Sequence, residues 1–326
     1  MAEVWTNIKD TYDYLFVQLA DPRTNDWLLI KHPVVFPVIA IYLYLVLKVG
    51  PKLMEKREPF RMKTLLIVYN FLQVLASLYI VYEGVQCGWF SDFNFRCEPV
   101  DFSNSPRALR IARACHTYYI AKLSELLDTV FFVMRKKNSQ ISFLHLYHHS
   151  VMPMISWGAT KYYPGGHGTF IGMINSFVHI IMYFYYMMSA MGPQYQKYLW
   201  WKKYITTLQL LQFCIAFLHS MQLLLYDCGF PRWSTIFTLP NAIFFYYLFS
   251  DFYKKAYTPD SPKNDKNDNE IKGKPAVDHR NGYTNGNGTA IEERNVTKQN
   301  GHTKNISKNS DHVKSTNGDA HKPKHE

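Results

Sequence analysis

Residues 141–157 read ISFLHLYHHSVMPMISW, and this stretch sets the interpretation of the whole chain. It contains no acidic residue, lysine or arginine, and it approaches the ~20 residues that a helix needs to cross the ~30 Å hydrocarbon core of a bilayer. Its most polar side chains are His145, His148 and His149, which share one face of a helix because they stand at i, i+3 and i+4. Ionisable groups at membrane depth are costly and usually functional. The stretch therefore predicts a membrane-spanning helix of an enzyme.

Similar apolar runs recur on both sides of this stretch. Counting it, seven runs of near-spanning length lie at 33–49, 64–82, 115–134, 141–157, 169–191, 204–225 and 234–252. A single run could be a buried helix of a soluble core, but seven in succession, joined by short loops, favour a membrane protein. We therefore expect an all-α, polytopic membrane protein with seven transmembrane helices.

The polar end of the chain hides this apolar character. Residues 258–326 are rich in Asn, Lys, Gly, Asp and Ser, a composition that cannot bury enough apolar surface to fold. They explain why the mean hydropathy of the whole chain is only −0.20. We expect an N-terminal segment at 1–32 on the membrane interface, a seven-helix domain at 33–257 and a disordered tail at 258–326.

The distribution of lysine and arginine predicts the orientation. Basic residues are concentrated in the loops after runs one, three and five and after run seven, which places those loops and the tail in the cytosol. The bias is not clean, because the opposite side carries Arg96, Arg107, Arg110, Arg113, Lys161 and Arg232. The net charge of +11 then suits anionic headgroups or a phosphorylated substrate at the cytosolic face, rather than nucleic acid.

Two of the five cysteines, Cys97 and Cys228, lie in loops that this orientation places opposite the cytosol. Disulfides persist in such oxidising compartments. A bridge between these two is therefore expected, although Cys87 competes as a partner for either.

Polar side chains on four runs fall at a similar depth below the cytosolic face. Besides the histidines, they are Lys122, Glu125, Asp128 and Thr129 on run three, Asn175, His179 and Tyr183 on run five, and Thr206, Gln209 and Gln212 on run six. At ~1.5 Å per residue, helix geometry places them in one slab. Asn, Gln and Thr alone could join helices to one another. The clustered histidines favour function, because burying ionisable groups is expensive.

A metal is the first functional alternative, since the spacing H-x-x-H-H also occurs in membrane di-iron desaturases and hydroxylases. Such sites need about eight histidines in several clusters to fill two metals, and here there is one cluster. A single zinc on three histidines stays open. We expect no catalytic metal and no cofactor. A seven-helix receptor or transporter is the remaining alternative, but it leaves the clustered histidines unexplained.

Four sequence blocks closely resemble the signature blocks of the very-long-chain fatty acid elongases, the ELO family. They are KLSELLDT (122–129), QISFLHLYHHS (140–150), NSFVHIIMYFYY (175–186) and TTLQLLQ (206–212), in the order and spacing of that family. The resemblance extends over about 25–258. It implies a condensing enzyme of the endoplasmic reticulum that joins malonyl-CoA to a long-chain acyl-CoA, giving a 3-oxoacyl-CoA, CoA and CO₂.

The resemblance also implies roles for individual residues. His148 and His179 would face the reacting carbons, with His148 as an acyl carrier, because imidazole can accept an acyl group. The other catalytic candidates are Asn175 and His145, which would orient the substrate or donate hydrogen bonds, and His149. The substrate-binding candidates are Lys122, Glu125, Asp128, Arg135, Gln209, Lys202 and Lys203, with the basic ones contacting CoA at the cytosolic mouth. The acyl chain would occupy a tunnel among the seven helices.

Two further features bear on substrate and location. Gln140 resembles the residue that the branch elongating polyunsaturated or very long chains carries at this position. The chain ends in KPKHE, a K-x-K-x-x pattern that in a cytosolic tail supports residence in the endoplasmic reticulum membrane. Other enzymes of the elongation cycle and a second copy of the chain are further candidate partners.

Overall fold

The computed structural model describes residues 1–258, and within this range the chain is entirely helical, without a β-strand. Eleven α-helices follow one another: α1 (Ala2–Asp13), α2 (Val35–Tyr44), α3 (Gly50–Met54), α4 (Lys63–Gln86), α5 (Pro106–Ser124), α6 (Leu126–Met134), α7 (Phe143–Tyr162), α8 (Gly168–Met191), α9 (Pro193–Gln196), α10 (Lys202–Leu225) and α11 (Thr235–Tyr257). A π-helical segment, Leu45–Val49, joins α2 to α3. The predicted tail at 258–326 lies outside the described residues, apart from Thr258.

Four helical stretches within residues 1–258 are long and apolar enough to cross a membrane. They are Val35–Met54, Lys63–Gln86, Gly168–Met191 and Lys202–Leu225. Helices also occupy the other three predicted runs, but these helices fall short in length or composition, since α5 carries three arginines and α7 carries the histidines and Lys161. An all-helical protein with four candidate spans is therefore confirmed, and the count of seven stays a prediction.

Several helices extend beyond the predicted apolar runs, α7 to Tyr162 and α11 to Tyr257 among them, and two of the differences have a local cause. The first run continues beyond Val49 to Met54, because the π-helical segment carries the helix onward without a break. The third begins at Pro106 rather than Cys115 and divides at Glu125. Its early start has a local cause: the Ser105 hydroxyl accepts a hydrogen bond from the Ala108 N–H (3.1 Å), and Pro106 occupies the first helical position, where its fixed φ is favourable.

The site depends on two helix pairings, α4 against α8 and α5 against α7, while α10 packs against both α8 and α11. Gly84 lets α4 approach α8, because a Cβ atom there would lie 2.8 Å from the sulfur of Met173. A buried cluster from α2, α5, α6 and α7 forms the largest part of the core. These contacts hold the polar stretches of α5 to α8 against one another.

At one end of the bundle, Cys97 and Cys228 form a disulfide with a Cα–Cα distance of 5.8 Å, the pairing that their loop positions favoured. Cys87, the competing partner, is a buried free thiol. The stacked rings of His167 and His219 lie 3.6 Å apart at the same end, and the Nε2 atom of each contacts the backbone oxygen of the other. We call this the disulfide end, and the end where α7 begins the histidine end.

Candidate active site

Glu125 is the centre of a buried group of charges. Its carboxylate accepts hydrogen bonds from Lys122 Nζ at 2.8 and 3.1 Å, and its Oε1 atom lies 3.1 Å from Nδ1 of His179 on α8. Lys122 Nζ is itself 3.4 Å from the same ring nitrogen. The side chains of Lys122 and Glu125 are only 2% and 4% exposed, so the pair is compensated inside the protein rather than by water.

This contact orients the ring of His179. A carboxylate that accepts the Nδ1 proton fixes the tautomer and leaves Nε2 with its lone pair free. The neighbouring residue Asn175, one turn earlier on α8, accepts a hydrogen bond from the Tyr118 hydroxyl at 3.0 Å. Both side chains on α8 are therefore held from α5, Asn175 by Tyr118 and His179 by Lys122 together with Glu125, the residue that follows the helix. Such fixed geometry is what acid–base chemistry requires.

The three histidines of α7 lie beside this group. Ser142 caps the helix by accepting a hydrogen bond from the His145 N–H (3.2 Å), which starts α7 immediately before the cluster. The rings of His145 and His149 are 4.2 Å apart, and those of His148 and His149 are 5.3 Å apart. The His148 ring lies within interaction range of Lys122, Glu125 and His179, and it packs 5.3 Å from the ring of Phe245.

Two of the histidines differ in how they are held. His145 Nε2 lies 2.8 Å from the Thr129 hydroxyl, which in turn contacts the Tyr42 hydroxyl at 2.6 Å, so α2 and α6 both fix this ring. His149 is buried, and its Nδ1 atom has no hydrogen-bond partner among the described residues. A buried polar atom without a partner is expensive. His149 is therefore available for a hydrogen bond that the protein does not supply.

The remaining predicted residues occupy different positions. Asp128 accepts a hydrogen bond from the Tyr183 hydroxyl at 2.9 Å, and Gln209 on α10 donates to the sulfur of Met182 at 3.6 Å. Arg135 lies at the end of α6, while Lys202 and Lys203 are exposed at the start of α10. Lys122 differs from the expectation of a residue at the substrate entrance, because it is buried and paired with Glu125. Lys122, Glu125 and Asp128 therefore make protein contacts within the cluster.

A mainly apolar cavity of about 140 Å³ adjoins the polar cluster. Tyr118, the partner of Asn175, lines it, as do Met152 of α7 and Gly172 and Met173 of α8. From there the lining extends to Cys87 and Trp89 at the disulfide end. The cavity thus extends from Tyr118, beside the polar cluster, to the disulfide end, and its lining is mainly apolar.

Within residues 1–258, no group of three or more His, Cys, Asp or Glu side chains is arranged to hold a metal ion. His145, His148 and His149 share a helix face, but Thr129, Phe245 and neighbouring rings occupy their surroundings. The absence of a catalytic metal stays a prediction.

Sequence reasoning missed the contribution of three tyrosines. Tyr118 binds Asn175, Tyr42 binds Thr129, and Tyr69 packs 6.3 Å from the ring of Tyr183. Only Tyr118 carried a usable signal, because it stands four residues before Lys122 and so shares its helix face. The other two lie on α2 and α4, whose approach to the site depends on tertiary packing.

Comparisons with known proteins identify the family of this chain. The family model described as ELO, the GNS1/SUR4 family, matches residues 27–265. Very long chain fatty acid elongase 7 of Drosophila melanogaster is 46% identical over 295 residues, covering 89% of this chain and 86% of that protein. A very long chain fatty acid elongase of Aedes aegypti is 49% identical over 252 residues, covering 76% of this chain and 70% of its own length.

A vertebrate relative gives the same result. Very long chain fatty acid elongase 1 of Homo sapiens is 46% identical over 243 residues, covering 73% of this chain and 87% of that protein. None of these three relatives is named a desaturase or a hydroxylase. Because the family model matches most of the chain and includes α2 to α11 and the whole polar cluster, this chain belongs to the ELO family.

Proposed function

We propose that this chain is the condensing enzyme of microsomal fatty acid elongation, a very-long-chain 3-oxoacyl-CoA synthase. It joins malonyl-CoA to a long-chain acyl-CoA and releases CoA and CO₂. The observation that carries the proposal is the buried Lys122–Glu125–His179 group in a member of the ELO family, together with the apolar cavity lined by the neighbouring Tyr118. Imidazoles beside an apolar cavity suit acyl transfer.

The first half-reaction moves the acyl group to His148. An imidazole nitrogen of His148 attacks the thioester carbonyl, the carbon–sulfur bond breaks, and CoA leaves as a thiolate. Nε2 of His179 accepts the proton that the His148 ring loses and passes it to the thiolate. Glu125 supports this transfer, since its contact with Nδ1 of His179 keeps Nε2 free and stabilises the ring while it carries charge.

The second half-reaction forms the new carbon–carbon bond. Malonyl-CoA loses CO₂, and the electron pair of the broken bond forms an enolate whose oxygen needs hydrogen-bond donors. Asn175 is suited to that role, because Tyr118 occupies its carbonyl oxygen and leaves its amide N–H groups to donate. The enolate carbon attacks the acyl carbonyl, and the leaving imidazole regains a proton from solvent.

The acyl chain and the CoA part of the substrate lie towards opposite ends of the helix bundle. The acyl chain enters the cavity that runs towards Trp89, where its burial contributes about 0.8 kcal/mol per CH₂. CoA stays at the histidine end, where Arg135, Lys202 and Lys203 contact its phosphates. We propose seven spans around this cavity, residence in the endoplasmic reticulum membrane, and a cytosolic C-terminus. The charge bias of the loops supports that orientation.

The decisive experiment incubates the purified chain with acyl-CoA alone and then adds labelled malonyl-CoA with a panel of acyl-CoA lengths. We expect CoA release and a protein adduct before malonyl-CoA is added. His148→Ala should lose both and reduce elongation at least about a hundredfold while keeping the same thermal midpoint. His32→Gln is the matched control, since His32 is exposed and contacts only Tyr12 among the described side chains.

The outcomes separate two conclusions. CoA release that requires malonyl-CoA, with no adduct by intact mass during turnover, would exclude the covalent role of His148 but retain the condensing activity. Failure of every acyl-CoA to be extended would overturn the proposed function itself.

A further inference from the structure

Three arginines follow one another along α5, and they differ in how their charge is balanced. Arg107 pairs with Asp92 at 3.1 Å, and Arg110 makes a two-pronged contact with Glu83. Arg113, one turn further along, is exposed and has no acidic partner among residues 1–258. The deepest of the three charges is therefore the one that the described protein leaves unbalanced.

The position of Arg113 makes this imbalance costly. Arg113 lies seven residues beyond Pro106, which corresponds to ~10 Å along the helix at 1.5 Å per residue. In the proposed seven-span arrangement, on which this inference rests, a cation on the outer face of α5 at that depth must extend towards the interface or draw an anion inward. Lys122, which reaches the active site, is about 14 Å further along α5 by the same rise. CoA bound at the histidine end is therefore not a natural partner.

A preformed groove lies beside the guanidinium. Trp27 and Leu28 of the N-terminal segment form one wall, and Leu109, Arg113 and His116 of α5 form the other. The His116 Nε2 atom contacts the Leu28 backbone oxygen at 2.9 Å, and the His116 ring lies 5.2 Å from that of Trp27. These contacts fix the two walls of the groove relative to one another.

The other charge in the groove is already compensated. The side chain of Arg23 is 3% exposed, pairs with Asp21 at 2.7 Å and donates to the backbone oxygens of Asp101 and Ser103. It therefore fixes the N-terminal segment and adds no free charge. The nearby Lys31 pairs with Asp26 at 3.1 Å. Arg113 supplies the net positive charge of this surface.

We propose that this groove binds the headgroup of an anionic phospholipid from the leaflet at the disulfide end. The planar guanidinium of Arg113 grips the lipid phosphate through two N–H groups, a geometry that arginine favours. Trp27 covers the glycerol region, and Leu28 and Leu109 contact the start of the acyl chains, as amphipathic residues do at membrane interfaces. A net negative headgroup matches the exposed, unpaired guanidinium of Arg113 better than a zwitterionic headgroup does.

The test uses the full chain in nanodiscs of phosphatidylcholine doped with brominated phosphatidylserine or, separately, brominated phosphatidylcholine. Bromine quenches the fluorescence of a tryptophan that it contacts. The quenching due to Trp27 is the difference in quenching between the unmodified chain and its Trp27→Phe variant. We expect stronger Trp27 quenching by phosphatidylserine, with Arg113→Gln weakening the apparent affinity about tenfold. Arg57→Gln, which removes an exposed arginine from the loop after α3, should keep the preference.

Each alternative result has a meaning. The proposed lipid site would be overturned by equal quenching with both lipids. It would also be overturned if Arg113→Gln and Arg57→Gln lost the same apparent affinity for phosphatidylserine. A preference that inorganic phosphate abolishes would show a soluble anion site instead of a lipid site. Retained elongation activity and gel-filtration volume in Arg113→Gln exclude misfolding, and Arg113→Lys should lose part of the affinity because it keeps the charge without the paired N–H groups.

Discussion

At the scale of single residues, Glu125 balances the buried charge of the site. Two groups share its carboxylate: the Lys122 ammonium at 2.8 Å and the His179 ring at 3.1 Å. Removing one member of a buried ion pair leaves an uncompensated charge, which costs more than removing both. Glu125 therefore has a structural effect through Lys122 and a chemical effect through His179, and variants can separate the two.

We expect Glu125→Gln to lower the free energy of unfolding by about 3–5 kcal/mol, because Lys122 stays buried without its counter-charge. The double variant Lys122→Met, Glu125→Gln should recover most of that stability but not the elongation activity, since His179 still lacks its carboxylate. Thermal unfolding and steady-state rates of both variants measure the two effects. Equal instability of the single and double variants would contradict a charge-based account.

At the scale of elements, the cavity exists because α5, α7 and α8 approach one another with small residues at selected points. Gly172 of α8 lines the cavity, and a Cβ atom there would meet only the Tyr118 ring, at 3.9 Å. The position therefore has room for a side chain, which would project into space that the proposed acyl chain uses. By contrast, Gly84 has no such room, because Met173 closes it.

Gly172→Val should shift the enzyme towards shorter acyl chains. Each CH₂ that loses its place in the cavity costs about 0.8 kcal/mol, or about fourfold in selectivity. Competition between acyl-CoAs of different length, followed by mass spectrometry of the products, measures the shift. Gly158→Val on α7 is the matched control, since a Cβ there meets no atom within 4 Å and Gly158 does not line the cavity. An unchanged product distribution in Gly172→Val would show that the chain binds elsewhere.

At the scale of the whole molecule, covalent and polar contacts fasten the disulfide end. The Cys97–Cys228 bond joins the loop after α4 to the loop after α10 across 131 residues of chain. Lys161 at the end of α7 donates to the backbone oxygens of Ile30 and Lys31, and so attaches the N-terminal segment to the bundle. The disulfide that the structure shows within residues 1–258 thus lies at the end opposite the histidine cluster.

We expect reductant to lower the thermal midpoint of the chain, because opening a loop of 131 residues restores entropy to the unfolded state. The free energy of unfolding should fall by about 2–5 kcal/mol when the bond is reduced. The variant Cys97→Ser, Cys228→Ser should start at the lower midpoint and no longer respond to reductant. Cys87→Ser should respond like the unmodified chain, and a Cys87→Ser variant insensitive to reductant would show that Cys87 takes part in the bond.

How far the sequence predicts this protein depends on whether a feature is local. The positions of the helices follow from apolar runs of spanning length, and the shared face of His145, His148 and His149 follows from 3.6 residues per turn. The start of α5 was predicted too late, because Arg107 and Arg110 interrupt the apolar run. Their partners Asp92 and Glu83, which stabilise this part of the helix, come from other segments of the chain.

The sequence by itself determined the helical class, the family and the set of polar side chains that share each helix face. These properties depend on residue type and on spacing within one element. Only the tertiary structure decided that Glu125 pairs with His179, that Tyr118 holds Asn175, and where the cavity lies. Each of these joins two or more helices, so it depends on how their side chains interlock, which no spacing within a single helix encodes.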